Sequence, residues 1–377
     1  MVNKNMDTFN LLQTLCETPG PSGFEDGIAA VVQEIWEPLT DSSSVDTTGS
    51  LSALRKGTGP KVKMADGSER RPVIMLAAHM DELGLMVTNV LEHNGNGFLR
   101  TINLGGVDWR QTAHQRVMVH GFDPESGAPK NLPGVIGNLP GFMLPKEKQG
   151  KPYNYQTLVV DTGLPFETVK KYVSVGNAIS FDRKLQKLSG SRVSGKALDN
   201  RCSVAILTIC LEQLAARSHG WDVLAVATAQ EETRLLGAFN VANATKPDIA
   251  VAIDVTFGSG PLASDERTFK LGDGPVVGHM PDTHPGVRDG MKKAARNLEL
   301  KFQSEYAARP GGTDAFNLQI ANAGIPTGII GVALRYMHTM SEHIDMKDVE
   351  RTGRLLAEYI ANLDEETLPN FSKMMME

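Results

Sequence analysis

Pro72-Val-Ile-Met-Leu-Ala-Ala-His79-Met-Asp81-Glu82 runs from an apolar stretch into an abrupt His-x-Asp, and the rest of the chain is organised around that junction. Residues 73–78 are apolar, partly β-branched and preceded by proline. That composition suits a central strand of a parallel sheet covered on both faces. His79 then stands at the strand's carboxyl end, the edge that holds the functional crevice in open α/β sheets. Asp81, two residues on, is placed to accept the hydrogen bond that orients a ligating imidazole. His-x-Asp by itself reads equally well as a loop histidine beside surface acids, so other stretches must decide.

At 377 residues the chain exceeds one ordinary core, and about 150 residues per domain gives two or three. Asp7 can cap a first helix carrying Phe9, Leu11, Leu12 and Leu15, and Ile28, Val31, Val32, Ile35 and Trp36 recur at helical spacing in a second. Residues 46–55 alternate weakly like a strand pair, and 57–71 form a polar, hairpin-like excursion with an Asp-Gly turn signal at 65–68. From 83 to 181 the texture changes to short strands, at 85–91, 98–104, 116–121, 134–139 and 158–161, with one short helix at 165–172. This segment reads as a small β-rich module inserted into an α/β domain made of 1–82 and 182–377.

Strand and helix alternate again afterwards. Helices are expected at 199–214, 236–242, 285–298, 313–321 and 346–362, and strands at 223–229, 249–253 and 325–332. The Met-rich tail after Leu368 reads as disordered. The fold class that follows is α/β, a mostly parallel sheet sandwiched by helices.

The 38 basic and 44 acidic side chains leave a net charge of −6 without a polybasic run. Phosphate backbones and anionic lipid therefore have no electrostatic attraction to this chain, and nucleic acid and membrane are not expected partners. An aromatic content of only 6% also argues against stacking platforms for bases or sugars. The first residues lack a signal-like apolar region and no apolar run approaches about 18 residues, so a cytoplasmic protein is expected. Cys16, Cys202 and Cys210 read as reduced thiols rather than a disulfide framework.

Four further places share the position type of His79: Asp199, the pair Glu231-Glu232, Asp254 and His338. Asp199 precedes a helix and could be its N-cap. Glu231 and Glu232 are read at the end of a strand, where neighbours point to opposite faces and one is driven inward. Asp254 is read as terminating strand 249–253, and His338 follows strand 325–332. Two histidines and several carboxylates at separate strand ends repel one another unless cations receive them. Mixed imidazole and carboxylate ligands suit zinc, cobalt or manganese, and one carboxylate can bridge two ions about 3.5–4 Å apart.

AAHMDELGLMV, GKALDNR, AQEE, AVAIDVT, GGTDA and RYMHTMSEH, in this order, resemble the glutamyl and deblocking aminopeptidases, a family that includes the TET peptidases and lies within the co-catalytic zinc exopeptidases. The resemblance covers nearly the whole chain. It implies two divalent ions per chain, zinc or cobalt, with His79 and Asp254 as terminal ligands and Asp199 as the bridging carboxylate. It implies Glu232 and His338 as the remaining ligands and Glu231 as general base, with Asp81 orienting His79. It further implies peptide substrates cleaved at the N-terminal residue, with 83–181 as a dimerisation domain and a homo-oligomer from dimer up to dodecamer. Two alternatives stand beside it: a deacylase of N-acyl amino acids on the same metal site, and a non-catalytic homologue, against which the intact Glu231 speaks. The family continues Gln-Glu-Glu with Val-Gly-Leu-Arg-Gly, whereas this chain has Thr233-Arg234-Leu235-Leu236-Gly237. That departure, with the atypical segment 257–273 and the long hairpin 61–71 within the excursion 57–71, bears on substrate preference rather than on the metal ligands, while the loop 141–155 carries no readable chemistry.

Overall fold

The computed structural model describes residues 7–374 apart from 65–66, 152–154, 262, 282 and 309–310. The 65–68 turn expected from sequence therefore lies partly outside the described residues. At the centre, strand Val73–His79 is flanked by Asp222–Thr228 and Ile249–Phe257, and Thr327–Leu334 lies beyond the latter; all three pairings are parallel. Ser42–Val45 and Leu51–Arg55 extend one side, and Val276–His279 and Gln303–Tyr306 the other, to make an eight-stranded sheet among the described residues. Ser42–Val45 and Leu51–Arg55 join with antiparallel pairings, Val276–His279 pairs antiparallel with Thr327–Leu334, and Gln303–Tyr306 pairs parallel with Val276–His279, so the sheet is parallel at its core and mixed at its margins.

The two-residue period of the strands distributes their apolar side chains to both faces. Ile74, Leu76, Ala78, Val223, Ala225, Val251 and Ile253 meet helices Thr8–Glu17, Asp26–Trp36, Leu198–Ala215 and Met346–Ala361 on one side. Met75, Ala77, Leu224, Val226, Ala250 and Ala252 meet Leu236–Thr245 and Asp314–Ile320 on the other. This is the sandwich expected of a near-continuous hydrophobic run such as 73–78.

Between Leu83 and Phe181 the chain closes a barrel in the order Val159–Pro165, Asn96–Leu104, Gly84–His93, Ala178–Phe181, Arg116–Phe122 and Pro129–Gly137, the last pairing back with the first. Its core of Leu85, Val87, Leu99, Val117, Val119, Val160 and Ile179 is a cluster separate from the two that flank the sheet. Strand Ala178–Phe181 has no counterpart among the strands expected from sequence; buried at every position, it lacks the alternation that identifies a strand.

The tail differs from expectation as well. Thr367–Met374 is a helix rather than a disordered segment. Leu368 and Phe371, three residues apart, pack against the main core, and the Phe371 ring lies 4.9 Å from that of His284. Cys16, Cys202 and Cys210 are buried and unpaired. Among the described residues no helix is long and apolar enough to cross a membrane.

Candidate active site

His79 is the last residue of its strand and is buried. The adjacent strand ends one step earlier than the sequence pattern suggests, at Thr228. Gln230 then takes a left-handed conformation, φ 57°, and Glu231–Arg234 form a helical turn. Glu231 and Glu232 are therefore not strand neighbours on opposite faces; the turn directs both towards His79 and His338. Asp254 likewise does not end its strand, which continues to Phe257 because Asp254 to Phe257 pair with Gly331 to Leu334. Asp199 lies at the start of Leu198–Ala215 with non-helical φ −80° and ψ 103° and does not act as a cap. His338, φ 62°, sits in the turn after Thr327–Leu334. The antiparallel pairing of Arg192–Gly195 with Glu342–Asp345 brings the Asp199 and His338 segments together.

The six side chains converge. Asp199 presents one oxygen to each imidazole: Oδ1 is 3.2 Å from His79 Nε2 and Oδ2 is 3.4 Å from His338 Nε2. His79 Nε2 also lies 3.7 Å from Glu231 Oε2, and His338 Nε2 lies 3.6 Å from Glu232 Oε2. Two sets of donor atoms each fall within 4.8 Å, His79 with Glu231 and Asp254, and His79 with Asp199 and Glu232. Among the described residues the ion pairs of Asp199, Glu231 and Glu232 are with these histidines alone, not with lysine or arginine.

Burial without a compensating cation shapes the titration of the cluster. It pushes Glu231 up to about 10, with Asp254, Asp314 and Asp81 adding to the rise against His79. Burial and then the Asp199 charge push Glu232 up to about 7, and burial lifts Asp254 well above the carboxylate range. Asp199 goes the other way: burial opposes its charge, but hydrogen bonds from His338 and His79 hold it below the usual range. The Asp199 hydrogen bond, against some desolvation, carries His338 up to about 9.

Several supporting groups escaped the sequence reading. Asp81 does more than face His79 Nδ1 at 3.3 Å. Its two oxygens accept the backbone N–H groups of Glu231 and Glu232, each at 3.1 Å, so one buried carboxylate orients the histidine and fixes the turn carrying both glutamates. Glu25 accepts the Gln230 N–H at 2.9 Å and steadies the left-handed residue before them. Glu342 accepts from the N–H of Asp199 at 3.0 Å and from that of His338 at 2.9 Å. Asp314, buried, accepts from the Thr228 hydroxyl at 2.6 Å, while Thr313 caps its helix. Glu342 lies within RYMHTMSEH and Asp314 within GGTDA, but nothing local to either marks it as more than a turn or cap acid. The barrel also reaches the site. A Cβ on Gly106 would meet His338 Nδ1 at 2.7 Å, so this turn closes on the ring only as glycine.

The donor set suits divalent metal. Two imidazoles and four carboxylates face one another, buried Glu232 Oε1 has no hydrogen-bond partner, and mixed nitrogen and oxygen donors match borderline ions. The cluster opens into a cavity of about 580 Å³ that Thr233, Arg234, Gly311 and Gly312 also line. A larger groove of about 1370 Å³, against Pro285 and Phe371, includes none of these six residues.

Comparisons with known proteins identify the family. Residues 60–355 match the M42 glutamyl aminopeptidase family. The lysyl aminopeptidase of Pyrococcus furiosus is 32% identical over 354 residues, covering 93% of this chain and 96% of that protein. The crystal structure of a TET aminopeptidase from a marine-sediment Thaumarchaeota archaeon is 28% identical and superposes with a TM-score of 0.86, covering 97% of this chain and 100% of the other. The TET1 peptidase of Pyrococcus horikoshii, described as assembling into a tetrahedron or a large octahedral shell, is 27% identical with a TM-score of 0.77, covering 95% and 100%. Since the match runs through most of the chain and the likeness through nearly all of it, the chain belongs to the M42 glutamyl aminopeptidase family and is an aminopeptidase-type hydrolase.

Proposed function

We propose that the protein removes N-terminal residues from peptides, with two divalent cations held by His79, Asp199, Glu232, Asp254 and His338 and with Glu231 as general base. The observation that carries the reading is the placement of Asp199, one oxygen towards each histidine, inside a carboxylate cluster that has no lysine or arginine ion-pair partner among the described residues. Bound cations would supply Lewis acidity and ease deprotonation of the attacking water. Glu231 takes the water proton and returns it to the leaving amine, so one carboxylate serves both halves of the hydrolysis. Asp81 keeps His79 and the backbone of Glu231 and Glu232 in register, and Glu342 does the same for Asp199 and His338. The excess carboxylates also favour a free α-amine at the substrate terminus, which makes the reaction exopeptidic. The buried, unpaired thiols suit a reducing cytoplasmic setting.

The test is to strip the protein of metal and restore zinc, cobalt or manganese one at a time. Aminoacyl-anilides should be hydrolysed only after restoration. The melting temperature should fall on stripping and recover with metal, because the empty cluster repels itself and a ligand that binds only the native state stabilises it. An unchanged melting curve after verified removal of metal would count against the ligand set.

The barrel between 83 and 181 is the proposed self-association domain. Phe122, Val135, Leu139, Phe142 and Met143 are exposed on it or beside it, Phe142 to 84%. An apolar group of that kind favours a partner surface. Light scattering should report an oligomer, and a monomer throughout the micromolar range would remove this part of the proposal.

A further inference from the structure

We propose that Glu305 selects the substrate's N-terminal side chain and that this enzyme prefers lysine and arginine there. The inference rests on the aminopeptidase reading above and names the substrate class of that site.

The cavity that holds the catalytic cluster continues over Val276, Met280 and Ile329, an apolar wall, and Glu305 also lines it. Glu305 lies on the edge strand Gln303–Tyr306, half-buried. Its carboxylate faces the Thr256 side chain, which lines the same cavity. Thr256 is two residues beyond Asp254 on one continuous strand, so the two share a face and stand roughly 7 Å apart. The Glu305 carboxylate is thereby held about one long side chain away from the cluster that binds the scissile end. An apolar wall ending in a carboxylate matches a lysine or arginine, whose aliphatic stem tolerates burial while its cationic head seeks an anion.

Glu305 has no lysine or arginine ion-pair partner among the described residues, so its charge is free for a ligand. Burial raises its carboxyl above the ordinary range, with the Thr256 side chain opposing the rise, and a cationic head entering the cavity would favour the ionised form. Arg234 lines the same cavity but is solvent-exposed. Water and salt screen it, which leaves the enclosed carboxylate as the stronger selector. An acidic N-terminal side chain would meet Glu305 with like charge.

The experiment measures kcat/KM for Lys-, Arg-, Leu- and Glu-anilides on metal-loaded enzyme of verified metal content. The wild type should favour Lys and Arg over Leu, and Glu should be the poorest. In Glu305→Gln the Lys-to-Leu ratio should drop by about 10–100-fold, the usual worth of a hydrogen-bonded charge pair. Glu305→Asp should retain most of the ratio, and Glu305→Lys should turn the preference towards Glu-anilide. A structural role would lower all four substrates in proportion and leave the ratio where it was, which overturns the assignment even if one of the variants folds poorly. A wild type that cleaves Leu or Glu faster than Lys and Arg overturns the specificity while the aminopeptidase reading survives. Loss of all hydrolysis despite full metal content would sink both.

Discussion

Glu231→Gln should lower kcat by about 10²–10⁴-fold, the usual contribution of a general base, while metal content stays at the wild-type level. Glutamine keeps the volume and a polar head but cannot take the water's proton. Glu232→Ala should show the opposite pattern, losing metal first and regaining part of its activity with excess ion. The reason is geometric. Glu232 Oε2 lies 3.6 Å from His338 Nε2 and, with His79 and Asp199, belongs to a compact donor set. Glu231 sits in the other set, with His79 and Asp254, so distance alone makes it a candidate ligand too, and the two variants separate the roles. Metal analysis alongside turnover decides: a Glu231 variant rescued by metal would reverse the assignment, and near-normal turnover in both would end the hydrolase mechanism proposed for the pair.

Asp81→Ala should weaken metal affinity by about 10–100-fold, the usual effect of removing a partner behind a ligand, although Asp81 touches no substrate. Its side chain has no exposure. Its loss removes the carboxylate 3.3 Å from His79 Nδ1 and leaves the N–H groups of Glu231 and Glu232 without their acceptor. Each buried group left unsatisfied costs about 1–3 kcal/mol, so denaturant unfolding of the metal-free protein should also reveal lower stability. Asp81→Asn should fall between, because its single carbonyl oxygen can serve only one of the two N–H groups well. Metal titration and equilibrium unfolding together check this, and unchanged values in both would remove Asp81 from the supporting role.

Much of the site is legible in the chain itself because its signals are local. An apolar run of strand length stopping at His79 places that histidine at a sheet edge, whatever the run pairs with. The same argument applies in looser form to the glutamate pair, Asp254 and His338. It went astray where pairing partners decide. Asp254 looks like a strand end because the apolar run stops there, yet backbone pairing with Gly331 carries the strand on to Phe257. Glu231 and Glu232 look like strand residues because nothing local announces a left-handed Gln230. Left-handed backbone is unfavourable for glutamine, and that geometry coincides with contacts from elsewhere: Glu25, 205 residues away, accepts its N–H.

Burial separates the remaining cases. Asp314 and Glu342 are sequence-silent, since a carboxylate at a helix start or in a turn is indistinguishable from an ordinary cap or surface acid until the chain closes over it. Leu368 and Phe371 carry a short helical pattern, but in so brief a segment only the surface that receives it makes the helix stable. Sequence alone therefore determined the α/β alternation, the inserted run of short strands and the identity of the six converging side chains, because periodicity and composition are properties of neighbouring residues. Tertiary structure alone decided which oxygen faces which imidazole, how Asp81 holds two elements at once and where Glu305 meets the cavity, because each depends on segments brought together from far apart in the chain.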